Sequence, residues 1–278
     1  MKVTLASQAG YCYGVERALR MTDEAVRSQK TPIFTLGPII HNPQVVESFK
    51  ALGVEPVVSL DKAEKGTIIV RTHGVDPVII DKASKKGLSI IDATCPFVAN
   101  AQQRAAELVE GGYSLIIVGE KEHPEVIGIL AHAKGQAVVV EKVEDIPKGL
   151  RGKAIGVVIQ TTQPLGNFQQ IVAGLAALAT ELKVFNTICG ATSRRQHSAK
   201  KLAEKVNVMI VVGGKNSANT SRLAQICEAT GTLTHHIETS KELKATWFKK
   251  VDTVGLTAGA STPEWLLQEV VEAIKEFN

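Results

Sequence analysis

Aromatic residues are scarce in this chain, at 4% of its 278 residues. No basic stretch is interleaved with aromatic residues, an arrangement that proteins use to stack unpaired bases. The formal net charge of +4 comes from Lys and Arg residues that are spread along the chain. Such a charge suits a small anionic ligand better than nucleic acid, and we expect no nucleic-acid partner.

Long apolar runs are also missing, since no stretch reaches the roughly 18 apolar residues of a membrane span. The chain opens on a strand-like segment, without the charged and apolar regions of a secretory signal. We therefore expect a cytoplasmic protein that does not contact a membrane.

Cysteine is rare and widely spaced, and the four residues are Cys12, Cys95, Cys189 and Cys227. No C-x₂₋₄-C pair occurs, although structural zinc sites usually draw their ligands from such pairs. Separated cysteines are typical of a reducing compartment rather than of a disulfide framework. A function for them would be metal binding or catalysis.

A unit of strand, loop and helix occurs three times. Each copy contains an apolar strand, a glycine, a polar loop, a helix-like run and a closing glycine, and the copies are 34–53, 116–135 and 210–231. A second kind of segment runs from an apolar strand through a polar loop into a helix start, at 67–80, 154–166 and 252–266. Each third of the chain also has one cysteine before a helix-like run: Cys12, Cys95 and Cys189.

The strands of these units are continuous apolar runs, which is typical of buried parallel strands. The sequence therefore predicts an α/β fold of three pseudo-threefold-related subdomains, with mainly parallel sheets around a central cavity. The predicted lobes are 13–95, 96–188 and 189–278, joined by an N-terminal strand at 1–12.

Polar residues recur in the loops that follow the strands. When the units are aligned on Gly37, Gly119 and Gly213, these residues fall at helix N-termini, where parallel sheets bind ligands and free N–H groups favour anions. Four residues after these glycines lie His41, His123 and Ser217, and six residues after the second and third lie Glu125 and Asn219. The second kind of segment places three further polar residues in comparable positions: His73, Thr161 and Ser261. Neither a Walker A loop nor a G-x-G-x-x-G fingerprint occurs, so a phosphate-bearing ligand other than ATP or NAD is indicated.

Cys12, Cys95 and Cys189 would meet if the three units surround one axis. Three thiolates fit either a Cys₃ zinc site or an iron–sulfur cluster, in which one iron of a [4Fe–4S] cube would stay open for a substrate oxygen. Cys227 lies on an apolar helical face, and we expect it in the core.

Several motifs together are similar to one family. They include "YCYGVERA", "GPIIHNPQVV", "DATCPFV", "GEKEHPEV", "TICGATSRRQ", "KNSANTSRL" and "TAGASTP". From residue 10 to about residue 265, the chain resembles the 4-hydroxy-3-methylbut-2-enyl diphosphate reductases, the LytB-type terminal enzymes of the non-mevalonate isoprenoid pathway. The resemblance implies an iron–sulfur oxidoreductase that reductively dehydroxylates (E)-4-hydroxy-3-methylbut-2-enyl diphosphate to isopentenyl diphosphate and dimethylallyl diphosphate.

The resemblance also implies roles for single residues. Cys12, Cys95 and Cys189 would hold a [4Fe–4S] cluster with one open iron. Glu125 and Thr161 would lie near the substrate hydroxyl, with Thr192 as a further helper. The expected diphosphate contacts are His41, His73, His123, Ser217, Ala218, Asn219 and Ser261. Some members carry at position 218 a serine that also contacts the diphosphate. Ala218 lacks that hydroxyl and would contribute its backbone N–H. Tyr13 stands where other members have a small residue.

The family usually receives its electrons from a ferredoxin or a flavodoxin, and we expect such a partner. Two other classes remain open from the residues alone. A hydro-lyase of the aconitase type also uses a three-cysteine cluster but needs no external electrons. An iron or redox sensor would need the cluster without the diphosphate loops.

Overall fold

The computed structural model describes residues 1–28 and 32–277. In these residues the strands, in chain order, are β1 (Lys2–Leu5), β2 (Ile33–Leu36), β3 (Val54–Val57), β4 (Thr67–Val70), β5 (Ser89–Asp92), β6 (Ser114–Val118), β7 (Ala137–Val140), β8 (Ala154–Ile159), β9 (Glu181–Val184), β10 (Val208–Val212), β11 (Leu233–Ile237) and β12 (Thr253–Ala258). The helices are α1 (Tyr13–Ser28), α2 (Pro43–Ala51), α3 (Pro77–Lys85), α4 (Pro96–Glu110), α5 (Pro124–His132), α6 (Leu165–Ala176), α7 (Gly190–Ala203), α8 (Ala218–Glu228) and α9 (Glu264–Lys275).

The strands form three sheets of four parallel strands each. The strand orders are β3-β2-β4-β5, β7-β6-β8-β9 and β11-β10-β12-β1, so the same order occurs three times. In the third sheet, β1 takes the edge place that β5 and β9 have in the others, and Lys2 pairs with Thr253. The predicted α/β class with parallel sheets is confirmed.

Helices cover both faces of a sheet, which explains the continuous apolar runs. In the sheet around β6 and β8, Ile116 and Ile155 pack with Phe168 and Ile171 of α6. The next residue of β6, Ile117, belongs to a second buried cluster with α4 and α5. Each fully buried Ile or Leu contributes about 1.5–3 kcal/mol relative to exposure. Successive residues of one strand are therefore both apolar, because each packs against different helices.

The chain divides into two compact units. One consists of Met1–Glu16, Ile40–Ser48 and the chain from Gly190 onward, and contains the sheet with β1; the other consists of Arg17–Ile39 and Phe49–Cys189 and contains the other two sheets. The three predicted lobes stay a proposal, and they are 13–95, 96–188 and 189–278. The proposal is supported because each range contains most strands of one sheet. Among the described helices, none is both long and apolar enough to cross a membrane.

Candidate active site

The three loops after β2, β6 and β10 begin in the same way. The backbone N–H of Gly37 donates to the Val57 carbonyl at 2.8 Å, where β3 ends. Gly119 donates likewise to the last residue of β7, and Gly213 to the last residue of β11. Gly37 and Gly213 have positive φ angles of 72° and 143°, which explains why glycine occurs there. The glycines used to align the sequence repeats are therefore structurally equivalent.

The helices after these loops have side-chain N-caps, and these correct one detail of the alignment. Asn42 Oδ1 accepts the Val45 N–H at 3.0 Å, His123 Nδ1 accepts the Glu125 N–H at 3.1 Å, and Ser217 Oγ accepts the Thr220 N–H at 3.4 Å. Asn42, not His41, is thus the equivalent of His123 and Ser217. The first loop is one residue longer, and the proline that opens both α2 and α5 carried that signal.

Each of the three predicted cysteine ligands directly precedes a helix. Cys12 comes before α1, Cys95 before α4 and Cys189 before α7, and all three are half-buried cysteines outside any disulfide of the described residues. The backbone N–H of each donates to a carbonyl two residues past the end of β12, β4 or β8, and these acceptors are Ala260 at 3.2 Å, Thr72 at 2.9 Å and Thr161 at 3.1 Å. The same backbone contact therefore fixes one cysteine in each repeat.

The chemistry of this donor set fits an iron–sulfur cluster, because such clusters are held by cysteine sulfur atoms. Cys227 differs from the other three. It is 0% exposed and packs with Met209 and Leu223, and burial raises the pKa of its thiol to about 12. The expectation that Cys227 belongs to the core is confirmed.

Cys95 and Cys189 lie in one compact unit and Cys12 lies in the other. The convergence of all three sulfur atoms on one cluster therefore stays a prediction.

Glu125, near the start of α5, is a buried carboxyl group bound by a single partner residue. It is 1% exposed, and its two oxygens accept the Thr161 backbone N–H at 2.6 Å and the Thr161 hydroxyl at 2.9 Å. Burial raises the pKa of Glu125 to about 7, a rise that Glu120 reinforces and the two hydrogen bonds oppose. A carboxyl group that titrates near neutral pH can hold and donate a proton.

Thr161 also contacts a predicted cluster ligand. Its carbonyl accepts the Cys189 N–H, while its N–H and hydroxyl bind Glu125. Thr161, two positions after the end of β8, thus fixes both the buried carboxyl group of Glu125 and the segment of Cys189.

Two of the predicted histidines, His73 and His123, lie side by side in the same unit. Their ring centroids are 5.5 Å apart, in an edge-to-face arrangement. Because His123 Nδ1 accepts the Glu125 N–H, its neutral ring carries the proton on Nε2. His123 can therefore donate a hydrogen bond to an anion.

The compact unit that contains β1 also contains the remaining polar loop residues. Ser261 donates its hydroxyl to the His41 carbonyl at 3.0 Å, and a Cβ on Gly214 would lie 2.8 Å from the same oxygen. Within the described part of the chain, neither amide atom of Asn219 has a hydrogen-bond partner, although this side chain is only 7% exposed. An unpaired buried amide costs about 1–3 kcal/mol, so a ligand that pairs with Asn219 recovers that energy.

The unit that contains β1 holds further predicted site residues, two of which directly precede Asn219 in sequence. Ser217 is buried as the cap of α8, and Ala218 is the first residue of that helix. The N–H groups of a first helical turn lack partners within the helix, so the backbone N–H of Ala218 can donate a hydrogen bond to an anion. Thr192 is buried in the first turn of α7.

Sequence reasoning missed two buried glutamines that tie the loops together. Gln160 Oε1 accepts the Glu120 N–H at 3.0 Å, and its Nε2 donates to the Thr162 hydroxyl at 3.1 Å. It thereby joins the loop of His123 to the loop of Thr161. Gln102 of α4 donates to the His73 carbonyl at 3.3 Å. The two glutamines of the sequence QTTQ at 160–163 were a visible signal for Gln160, whereas Gln102 had none.

The departure at Tyr13 has a simple structural context. Tyr13 is the first residue of α1 and its side chain is 61% exposed. A large ring therefore needs no space in the core at this position.

The sequence model of the family described as "LytB protein" matches residues 3–275. The chain belongs to the LytB family. Among curated relatives, a protein of Aquifex aeolicus (strain VF5) named 4-hydroxy-3-methylbut-2-enyl diphosphate reductase is 46% identical, over 99% of this chain and 96% of its own length. A protein of the same name from Geobacter sulfurreducens is also 46% identical, over 100% of this chain and 98% of its own. The family resemblance drawn from the sequence motifs is confirmed.

Solved structures of the LytB family agree with the fold. A structure titled (E)-4-hydroxy-3-methyl-but-2-enyl diphosphate reductase, the terminal enzyme of the non-mevalonate pathway, is 45% identical with a TM-score of 0.74, and 99% of both chains is covered. The E-1-hydroxy-2-methyl-but-2-enyl-4-diphosphate reductase from Plasmodium falciparum is 30% identical with a TM-score of 0.90, over 97% of this chain and 86% of that one.

Proposed function

We propose that this chain is an iron–sulfur oxidoreductase that converts (E)-4-hydroxy-3-methylbut-2-enyl diphosphate into isopentenyl diphosphate and dimethylallyl diphosphate. The observation that carries the proposal is the buried Glu125 carboxyl group, which shares Thr161 with the Cys189 segment. The reductase names of its full-length relatives support the same reaction.

Cys12, Cys95 and Cys189 would hold a [4Fe–4S] cluster with one iron lacking a protein ligand. When bound, that cluster supplies electrons and a Lewis-acidic iron for the substrate oxygen. The three thiols are half-buried and bonded through their backbone in the same way, which suits a common ligand role.

Glu125 supplies the proton that lets the substrate hydroxyl leave as water. Its pKa of about 7 keeps a share of the carboxyl groups protonated at neutral pH. Thr161 fixes both oxygens by its two hydrogen bonds, so the acidic proton is presented in one orientation.

The polar loop residues bind the diphosphate. His123 offers Nε2–H, Asn219 offers its unpaired amide, and Ala218 offers a backbone N–H. Ser261 gives its hydroxyl proton to the His41 carbonyl, so a bond to a phosphate oxygen would replace that bond. The further proposed diphosphate contacts are His41, His73 and Ser217, while Thr192 would help near the substrate hydroxyl. Charge-assisted hydrogen bonds of this kind position an anion and neutralise it.

The reaction consumes two electrons and two protons, and we propose a ferredoxin or flavodoxin as donor. The cytoplasmic location and the lack of a nucleic-acid partner stay predictions from the sequence.

The test is anaerobic purification, an iron and sulfide count, and turnover assays with and without reductant. The proposal expects about four iron and four sulfide per chain and both products only when electrons are supplied. Dehydration without a reductant would instead indicate a hydro-lyase of the aconitase type. A cluster that supports no turnover would indicate a sensor.

A further inference from the structure

A groove of about 720 Å³ runs between α7 and the start of the chain, within one compact unit. Ser7 and Gln8, which follow β1, line one side, and α7 lines the other. The hydroxyls of Ser7 and Ser198 lie 3.0 Å apart and connect the two sides. The groove is therefore bordered by two segments that are directly bonded to each other.

Four basic residues line this groove: Arg194, His197, Lys201 and Lys205. Their spacing of three, four and four residues places them along one face of α7 and its continuation. All four are exposed, and no Asp or Glu lines the groove. Over residues 1–28 and 32–277, none of the four forms an ion pair. Their charge is therefore available to a partner.

The two segments that border the groove both lead to proposed cluster ligands. Helix α7 begins at Gly190, the residue directly after Cys189. The loop that contains Ser7 and Gln8 continues to Cys12. A protein that docks in this groove would thus contact the chain segments closest in sequence to two of the three sulfur donors.

We propose that this basic groove docks an acidic protein that carries single electrons. The inference rests on the proposed function and names the surface that its electron donor would use. Two carrier molecules are each oxidised by one electron per turnover. The two electrons and two protons break the C–O bond of the substrate, release water and leave one new C–H bond.

The exposed, unpaired charges favour such a carrier over a small anion. A site built for a small anion encloses it with buried polar groups, whereas the four basic side chains here are all exposed. Redox proteins form short-lived complexes with small interfaces, and complementary surface charge mainly raises their association rate. Phosphate groups of a nucleic acid would also bind a basic surface, so a short DNA duplex serves as a competing ligand in the experiment.

The experiment reverses two charges, with Arg194→Glu and Lys201→Glu in one variant. The control variant carries Lys62→Glu and Lys65→Glu, two exposed lysines of the other unit that give the same change in net charge. Turnover is measured at low salt with a reduced acidic ferredoxin or flavodoxin, and separately with dithionite-reduced methyl viologen, which needs no docking surface. Calorimetry measures binding of the oxidised carrier to each cluster-loaded protein.

The groove variant should raise the KM and the Kd for the carrier by about tenfold or more and flatten their salt dependence, because the complementary charge is lost. Viologen-driven turnover and iron content should stay at the level of the starting protein. The control variant should change the carrier KM by less than about threefold.

Unchanged carrier KM, Kd and salt dependence in the groove variant would overturn the proposal. So would tight binding of a short DNA duplex or of inorganic phosphate at the groove without any effect of the variant on the carrier. If the starting protein turns over no substrate even with viologen, the proposed function fails instead, and the calorimetry with the carrier still decides the docking surface.

Discussion

The Glu125 carboxylate accepts two hydrogen bonds from Thr161, one from the backbone N–H at 2.6 Å and one from the hydroxyl at 2.9 Å. The two residues come from different segments, since Glu125 is the second residue of α5 and Thr161 lies two residues after β8. Both oxygens are thus fixed in a buried position. The acid and its orientation are set by the fold of one unit.

Replacing Glu125 by Gln should lower turnover by about a hundredfold or more, because the amide cannot release the proton. Gln can still accept a bond from Thr161, so iron content and substrate affinity should stay near those of the starting protein. Electron-dependent product formation measures the effect. Glu122→Gln, an exposed residue of the same loop, is the control and should be neutral. Near-normal turnover of Glu125→Gln would remove Glu125 from the proton path.

Glu125 should also make stability depend on pH. Because its pKa is raised from 4.5 to about 7, the folded chain keeps this proton longer than the unfolded chain. The free energy of unfolding therefore falls as pH rises between about pH 4.5 and pH 7, by up to about 1.4 kcal/mol per unit for this group. Glu125→Gln lacks the effect, so denaturant titrations should show it gaining stability relative to the starting protein from pH 5 to pH 8. A constant difference would contradict the raised pKa.

Single Ser replacements of Cys12, Cys95 and Cys189 should each lower the iron and sulfide content strongly, because a hydroxyl is a poor ligand for iron–sulfur clusters. Cys227→Ser is the matched control. It should keep the full content and lose about 1–2 kcal/mol of stability, since it buries a hydroxyl in the core. Full cluster content in any of the first three would exclude that cysteine as a ligand.

Asn219→Ala tests the diphosphate loops. The change removes a buried amide without a partner in the described residues, so thermal stability should not fall. Binding of inorganic pyrophosphate, measured by calorimetry, should weaken about tenfold, which corresponds to about 1.4 kcal/mol. Asn216→Ala, an exposed residue of the same loop, should bind as before. Unchanged pyrophosphate affinity in Asn219→Ala would show that the amide has another purpose.

Gln160→Leu tests how the loops are held. The variant keeps the buried volume but removes the bonds to the Glu120 N–H and the Thr162 hydroxyl. The pH optimum of turnover should then shift, because the loop of Glu125 is no longer fixed against the loop of Thr161. Gln163→Leu, which removes only a bond to Gln160 itself, should shift it less. A reduced yield of folded protein with an unchanged pH profile would indicate a purely structural role.

The repeat could be predicted from the sequence because its signals are local. Continuous apolar strands, a glycine at each strand end and a helix start recur in order, and the three sheets follow that order. The positions of the cysteines before helices were visible for the same reason. The shift of one residue at Asn42 was missed because the alignment counted from Gly37 and ignored the proline that starts the helix.

Other features depend on contacts between distant segments, which one sequence does not reveal. The raised pKa of Glu125 follows from its burial, and the two hydrogen bonds that oppose the rise come from Thr161, 36 residues later in the chain. The bond of Gln102 to the His73 carbonyl joins a helix to a loop 29 residues earlier. The pairing of β1 with β12 joins the two ends of the chain. In each case the residue type alone fits several environments.

The most direct test of the account is an anaerobic crystal structure of the cluster-loaded protein. We predict one [4Fe–4S] cluster with the sulfur atoms of Cys12, Cys95 and Cys189 as its only protein ligands. Sulfur atoms lying farther apart than one cluster spans, or a cluster held by other residues, would contradict it.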